Sequence, residues 1–195
     1  MLTKKTIVLS VICLLLTGML YGKSTFGPQT EWIMQIYESG TFQMKTTMQS
    51  VDESSELEMF AKDGKIAMTM TAGTDKMRIV QKDNRSYMIS ERDRQILVTP
   101  VEQDAVQGFV DTEEIKFTGS GSAFFDGKNQ TYEEYFSDGD RMLFFVDGFR
   151  LTGIRTISVE VGIVDMIVHN FEGFVPDSAF DIPTTGYSVF TEFDN

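Results

Sequence analysis

The stretch Glu56-Leu57-Glu58-Met59-Phe60-Ala61-Lys62-Asp63-Gly64-Lys65-Ile66-Ala67-Met68-Thr69-Met70 decides how the rest of this chain is read. Leu57, Met59 and Ala61 alternate with Glu56, Glu58 and Lys62, although Phe60 breaks the polar side. Ile66, Met68 and Met70 alternate with Ala67, Thr69 and Thr71. Successive side chains of a strand point to opposite faces, so a period of two marks a strand with one face on a core. Asp63-Gly64 sits between the two runs, and Asp-Gly tolerates the positive φ angles of a tight hairpin. The segment reads as an antiparallel hairpin.

The same pairing of pattern and turn recurs along the chain. Asp126-Gly127, Asp138-Gly139 and Asp147-Gly148 also lie between alternating runs. Phe42, Met44 and Met48 alternate with Gln43, Lys45 and Gln49. Further strands are expected near 75–81, 84–90, 94–98, 113–119, 121–126, 130–137, 141–146, 149–155 and 156–169. The result is an up-and-down meander, mostly β (α+β). It is expected as a strongly curved antiparallel sheet, an unclosed half-barrel of about 10–11 strands.

Two segments lose the period of two. In residues 29–39, Trp32, Ile33, Ile36 and Tyr37 fall at helical spacing, and Gly40 follows as a stop signal. In residues 100–111, Val101, Ala105, Val106, Phe109 and Val110 fit one helix face, with Pro100 suited to a first turn. One or two helices are therefore expected against the concave face of the sheet.

The N-terminus has a different composition. Lys4 and Lys5 precede an apolar run, Ile7 to Leu16, interrupted only by Ser10. That is the layout of an export signal, and its apolar part is shorter than the roughly 20 residues of a spanning helix. Residues 1–23 read as a signal peptide or an N-terminal anchor, and 24–195 as a single exported domain. The protein is expected to be extracytoplasmic. Cys13, the lone cysteine, lies inside the apolar run after Ile12 and reads as an ordinary signal residue. The exported part then has no disulfide and depends on core burial.

Formal net charge is −12, and without Lys4 and Lys5 fifteen basic residues face 29 acidic ones, giving −14. Such a surface repels phosphate backbones and anionic headgroups, so nucleic acid is not an expected partner.

No catalytic motif is present: Gly-x-Ser-x-Gly, His-Glu-x-x-His and Gly-x-x-x-x-Gly-Lys are all missing. His169, the only histidine, has no nucleophile motif beside it and reads as a surface or strand-end residue. Glu133 and Glu134 are adjacent in a strand, so they point to opposite faces and cannot converge on one bond. They read as solvated strand-edge residues. Gly119-Ser120-Gly121-Ser122 reads as a flexible turn, lacking the lysine and helix of a phosphate loop. No enzyme, cofactor or metal is expected.

The methionines remain. Met44, Met48, Met59, Met68, Met70 and Met77 are expected to share one face. Flexible thioethers suit surfaces that accept varied apolar partners. Core filling, an adaptable pocket lining and a soft-metal site are the three readings, and no Met-x-x-Met or His-Met cluster supports the metal.

The chain closes with Phe174-Val175-Pro176-Asp177-Ser178-Ala179-Phe180-Asp181-Ile182-Pro183-Thr184-Thr185-Gly186-Tyr187. With the order helix, strands, short helix, strands, this ending resembles the LolA/LolB-like superfamily, whose carriers bind the acyl chains of lipoproteins in a half-barrel under helical lids. The resemblance implies a non-enzymatic cell-envelope protein that binds a lipid or an acyl chain of a lipoprotein, with a membrane-associated envelope protein as a further partner. The lid elements would be residues 29–39 and 100–111. The apolar lining would comprise Trp32, Ile36, Phe42, Met44 and Met59, together with Met68, Met70, Val106 and Phe109. The alternative is an anchored sensor or scaffold domain whose apolar face is simply core.

Overall fold

The computed structural model describes residues 26–49, 54–101, 116–137, 139–159 and 162–191. Among the described residues the α-helix α1 (Glu31–Glu38) precedes β1 (Phe42–Gln49), β2 (Ser54–Lys62), β3 (Lys65–Ala72), β4 (Asp75–Lys82), β5 (Arg85–Ser90) and β6 (Gln95–Pro100). There follow β7 (Lys116–Phe125), β8 (Lys128–Ser137), β9 (Asp140–Asp147), β10 (Arg150–Ser158), β11 (Gly162–Glu172), a 3₁₀ turn (Asp177–Phe180) and β12 (Ser188–Thr191). The strands form one sheet in the order β12-β6-β5-β4-β3-β2-β1-β11-β10-β9-β8-β7, which is unclosed, with β12 and β7 at its ends. The mostly β, meandering antiparallel class expected from the alternation is what forms.

The details differ in places. The described residues form twelve strands rather than ten or eleven, because β12 was not anticipated and pairs in parallel with β6, Ser188 opposite Gln95 and Thr191 opposite Val98. Gly119-Ser120-Gly121-Ser122 is no turn but the middle of β7, paired residue by residue with Glu134 to Thr131 of β8. β10 ends at Ser158 and β11 starts at Gly162, so the boundary read at 155/156 lies inside β10. Small polar residues are permitted in a strand whose neighbours supply the bulk, and composition alone does not expose that. The helix expected at 29–39 is shorter, Glu31–Glu38, and the one expected over 100–111 lies almost wholly outside the described residues, as does the segment 1–23. Among the described residues no helix is long and apolar enough to cross a membrane.

The turns follow from left-handed backbone. Asp63 and Gly64 have φ of 51° and 72°, and Asp126 and Gly127 have 45° and 77°. Two consecutive positive φ values match the twist of the flanking strands, which is why Asp-Gly marks these hairpins.

The described residues fall into two compact units, those within 1–38 and 104–167 and those within 39–103 and 168–195. In the first unit Phe125, Leu143 and Phe145 form a buried cluster with Tyr132, Ile157 and Ile167 against it. Phe125 stacks on Phe145 at 4.1 Å and lies where Gly153 has no side chain; a Cβ there would stand 2.1 Å from the Phe125 ring. In the second unit Ala67, Val80, Ile89, Ile96 and Val98 form one side of a core whose other side is Val175 and Phe180.

Candidate functional site

The second unit's sheet has two faces, and register assigns each residue to one. Met44 pairs with Met59, Met59 with Met68, Met68 with Ile79, Ile79 with Met88, Met88 with Leu97, and Leu97 with Phe190. Directly opposed residues share a face, so these seven form one apolar row across β1, β2, β3, β4, β5, β6 and β12. Beside it run Thr46, Leu57, Met70 and Met77. Met48 lies on this face too, opposite Ser55, so the six methionines expected to share a face do so.

Burial changes along the row. Met44, Met59 and Met68 are buried, at 1%, 7% and 8% exposure. Ile79 and Met70 are half-buried. Met77, Met88, Leu97 and Phe190 are exposed, at 38%, 44%, 37% and 51%. Scattered apolar surface residues need no explanation, but a contiguous apolar patch does.

The opposite face explains the C-terminal motif. Phe180 and Val175 cap Ala67, Val80, Ile89, Ile96 and Val98, with Ile182 and Tyr187 packed alongside. Arg78 Nη2 donates to the Ala179 carbonyl at 2.6 Å, and Lys82 Nζ to the Phe180 carbonyl at 2.9 Å. Lys62 pairs with Asp177 at 2.7 Å, which holds the Asp177 carboxyl below its usual value. Ser188 N–H then donates to Arg94 O at 2.9 Å, setting β12 against β6. The Pro-flanked ending is a strap that seals one face of β3–β6 and leaves the methionine face to be met by something else.

Of the residues expected to line a site, Phe42, Met44, Met59, Met68 and Met70 share that face. Phe42 is buried, with its ring 6.1 Å from that of Phe171. Trp32 and Ile36 lie on α1 in the first unit, both half-buried, and Trp32 Nε1 donates to the Gln29 carbonyl at 2.8 Å. Val106 and Phe109 lie outside the described residues. The exposed end of the row, Met88, Leu97 and Phe190, was missed; extending the cross-strand pairing from β3 to β6 would have found Met88 and Leu97.

The first unit holds a second arrangement that the sequence did not disclose. Glu133, Tyr135 and Thr30 are each 0% exposed. Thr30 Oγ1 donates to Glu133 Oε2 at 2.7 Å, Gln29 N–H donates to Oε1 at 3.0 Å, and the Tyr135 hydroxyl donates to Oε2 at 3.2 Å. Thr30 Oγ1 and the Tyr135 hydroxyl also meet, and Gly27 N–H donates to that hydroxyl at 2.9 Å. Burial pushes the Tyr135 phenol up to about 12. A carboxylate accepting several donors can remain buried, and here it fixes the turn that starts α1 onto β8. The expectation that Glu133 is a solvated edge residue is thus overturned, while its neighbour does point the other way: Glu134 is half-buried and bonded to Arg141 at 3.0 Å, which lowers the Glu134 carboxyl. His169 is exposed, with Nε2 2.7 Å from Thr47 Oγ1. Among the described residues no cluster of three or more His, Cys, Asp or Glu could hold a metal ion.

No family model matches the chain, and no curated protein matches it. Solved structures do. An uncharacterized conserved protein from Thermus thermophilus superposes with a TM-score of 0.54 at 10% identity, covering 84% of this chain and 99% of that one. MucB in complex with MucA(peri) gives 0.44 at 9% identity, covering 84% of this chain and 62% of that one. PNGF-II gives 0.38 at 10% identity over 78% of this chain and 31% of that one. At such identity the first of these shows a shared fold and nothing of function.

Proposed function

We propose that this is a non-enzymatic, exported cell-envelope protein of LolA/LolB-like type that takes up a lipid or acyl chain along the methionine face of the second unit. One observation carries the reading. The row that is buried at Met44, Met59 and Met68 continues without a polar break to exposed Met88, Leu97 and Phe190. Strands lie about 4.8 Å apart, so the stretch from Ile79 to Phe190 spans roughly 14 Å. That is close to one leaflet of a hydrocarbon core about 30 Å thick. Methionine and leucine side chains can repack around a chain of variable length. Affinity would come from apolar burial, at roughly 25 cal/mol per Å². The apolar N-terminal run supports export or anchoring near a membrane.

The test is displacement of a fluorescent fatty-acid probe from the purified full chain, with native mass spectrometry for a retained ligand. Saturable binding that weakens in Met88→Glu and Leu97→Glu is the expected result; both side chains are exposed, so both variants should remain folded. If no probe binds across a panel of lipids, and native preparations carry no small molecule, the carrier reading fails and the anchored sensor or scaffold takes its place.

A further inference from the structure

The described methionines divide by exposure. Met44, Met48, Met59, Met68, Met142 and Met166 are buried, and Met70 is half-buried. Met77 and Met88 are exposed, and both lie on the methionine face of the second unit's sheet. They are also neighbours. Met88 pairs with Ile79 and Met77 with Ser90, so the two methionines are diagonal on adjacent strands, roughly 7–8 Å apart. The one cysteine, Cys13, lies in the N-terminal apolar run, so from residue 24 onward no thiol competes with them for an oxidant.

Exposure and thioether chemistry together name a reaction. Hydrogen peroxide transfers one oxygen atom to a methionine sulfur. The O–O bond breaks, an S–O bond forms, sulfur gives up two electrons, and the other oxygen leaves as water after taking up the remaining peroxide proton. The product is a sulfoxide, a polar group where an apolar one stood. Its oxygen accepts hydrogen bonds, and the residues opposite these two positions offer it no free side-chain donor. Met77 lies opposite Met70 and Ser90, and Met88 opposite Ile79 and Leu97. The Ser90 hydroxyl already donates to Asp93 Oδ2 at 2.8 Å. While the row is uncovered, water supplies the donor, so the fold is little affected. Once an apolar molecule covers the row, that water is gone and the sulfoxide is left unsatisfied.

We propose that Met77 and Met88 are a paired oxidation site, and that their conversion to sulfoxides by a peroxide turns the exposed end of the row polar and lowers its hold on an acyl chain. The effect on the acyl chain rests on the carrier reading above; the oxidation site does not. Burial confines the change to where it acts. Met44, Met59 and Met68 are shielded, so the core keeps its thioethers while the open end of the same row loses its apolar character. Sulfoxides are returned to thioethers by methionine sulfoxide reductases, one enzyme for each epimer, with a thiol as the reductant. The row then binds in its reduced form and releases in its oxidised form, with no unfolding in between.

The experiment treats the full chain with limiting hydrogen peroxide, beside a double variant carrying Met77→Leu and Met88→Leu. Peptide mass spectrometry over time should find oxygen added at Met77 and Met88 roughly tenfold faster, or more, than at Met44, Met59 and Met68. Retention on a phenyl column reads the apolarity of the surface without any lipid; it should fall on oxidation of the unaltered chain and hold in the variant. The dissociation constant of a fluorescent fatty-acid probe should rise roughly tenfold in the oxidised unaltered chain. It should return after treatment with both reductases and dithiothreitol, and in the variant it should stay at the variant's own starting value. Circular dichroism reports that the oxidised proteins are folded. Oxygen added evenly to all methionines, or an equal loss of retention in both proteins, would overturn the site. Selective oxidation with unchanged probe affinity would overturn the switch. If the unoxidised chain binds no probe, the carrier reading fails and the switch with it, while the mass mapping and the retention still decide the site.

Discussion

Replacing Glu133 by Ala tests whether the carboxylate beneath α1 holds the first unit together. The side chain is fully buried and accepts from Gln29 N–H at 3.0 Å, the Thr30 hydroxyl at 2.7 Å and the Tyr135 hydroxyl at 3.2 Å. Tyr135 and Thr30 keep their contact with each other after the change, so the donor left with nothing is chiefly Gln29 N–H, with one hydroxyl hydrogen partly satisfied. An orphaned buried donor costs about 1–3 kcal/mol, and Gln29 N–H, only part-buried, lies at the low end of that range. The cavity adds to that, while removal of a costly buried charge offsets part of it. The net expectation is a loss of about 3 kcal/mol. Glu133→Gln should lose less, about 1–2 kcal/mol, since the amide oxygen still accepts and the hydroxyls can turn to accept from its NH₂. Gly27→Ala gives an independent route to the same loss: a Cβ there would stand 2.4 Å from Glu133 Cδ and Oε1, so the carboxylate must leave its donors. The assay is urea denaturation, with the slope checked for constancy so that the midpoint reports stability. If Glu133→Ala and Gly27→Ala both shift stability by less than about 0.5 kcal/mol, as an ordinary surface change would, the network is not structural and the reasoning fails.

Two further outcomes follow from the same structure. Tyr135 has a phenol raised from 10.0 to about 12 by burial, so the unfolded chain loses its proton first, and stability should fall as pH rises from about 10 to about 12; Tyr135→Phe should flatten that alkaline limb, and an unchanged pH profile in urea titrations would contradict it. Met68→Glu puts an unpaired carboxylate at a position 8% exposed and should cost several kcal/mol, whereas Met88→Glu on the same row, 44% exposed, should cost about 0.5 kcal/mol or less; equal melting temperatures for the two would refute the gradient of burial along the row.

Much of this molecule was legible before its coordinates. The alternation of Leu57, Met59 and Ala61 with their charged neighbours, and the Asp-Gly turn at 63–64, specified the β2–β3 hairpin and the face that Met59 and Met68 share, and the structure pairs those two directly. The strap was legible only as a motif. Its apolar residues, Val175, Phe180 and Ile182, do not show a period, so nothing in the sequence says that they meet Val80 and Ile96. The edge strand was misread for a related reason. Gly119 to Ser122 is turn-like in composition, yet Tyr132, lying over Gly121, makes a strand of it.

What the sequence determined by itself is therefore parity: which residues share a face, where hairpins turn, and that Glu133 and Glu134 must point apart. Those are local consequences of backbone geometry, fixed within a few residues. Tertiary structure alone decided which face is dry. Glu133 is buried because Thr30, 103 residues away in sequence, closes over it, and Phe180 seals Val80 from 100 positions downstream. Burial depends on what packs against a surface, and that partner is brought by chain topology, on which periodicity carries no information.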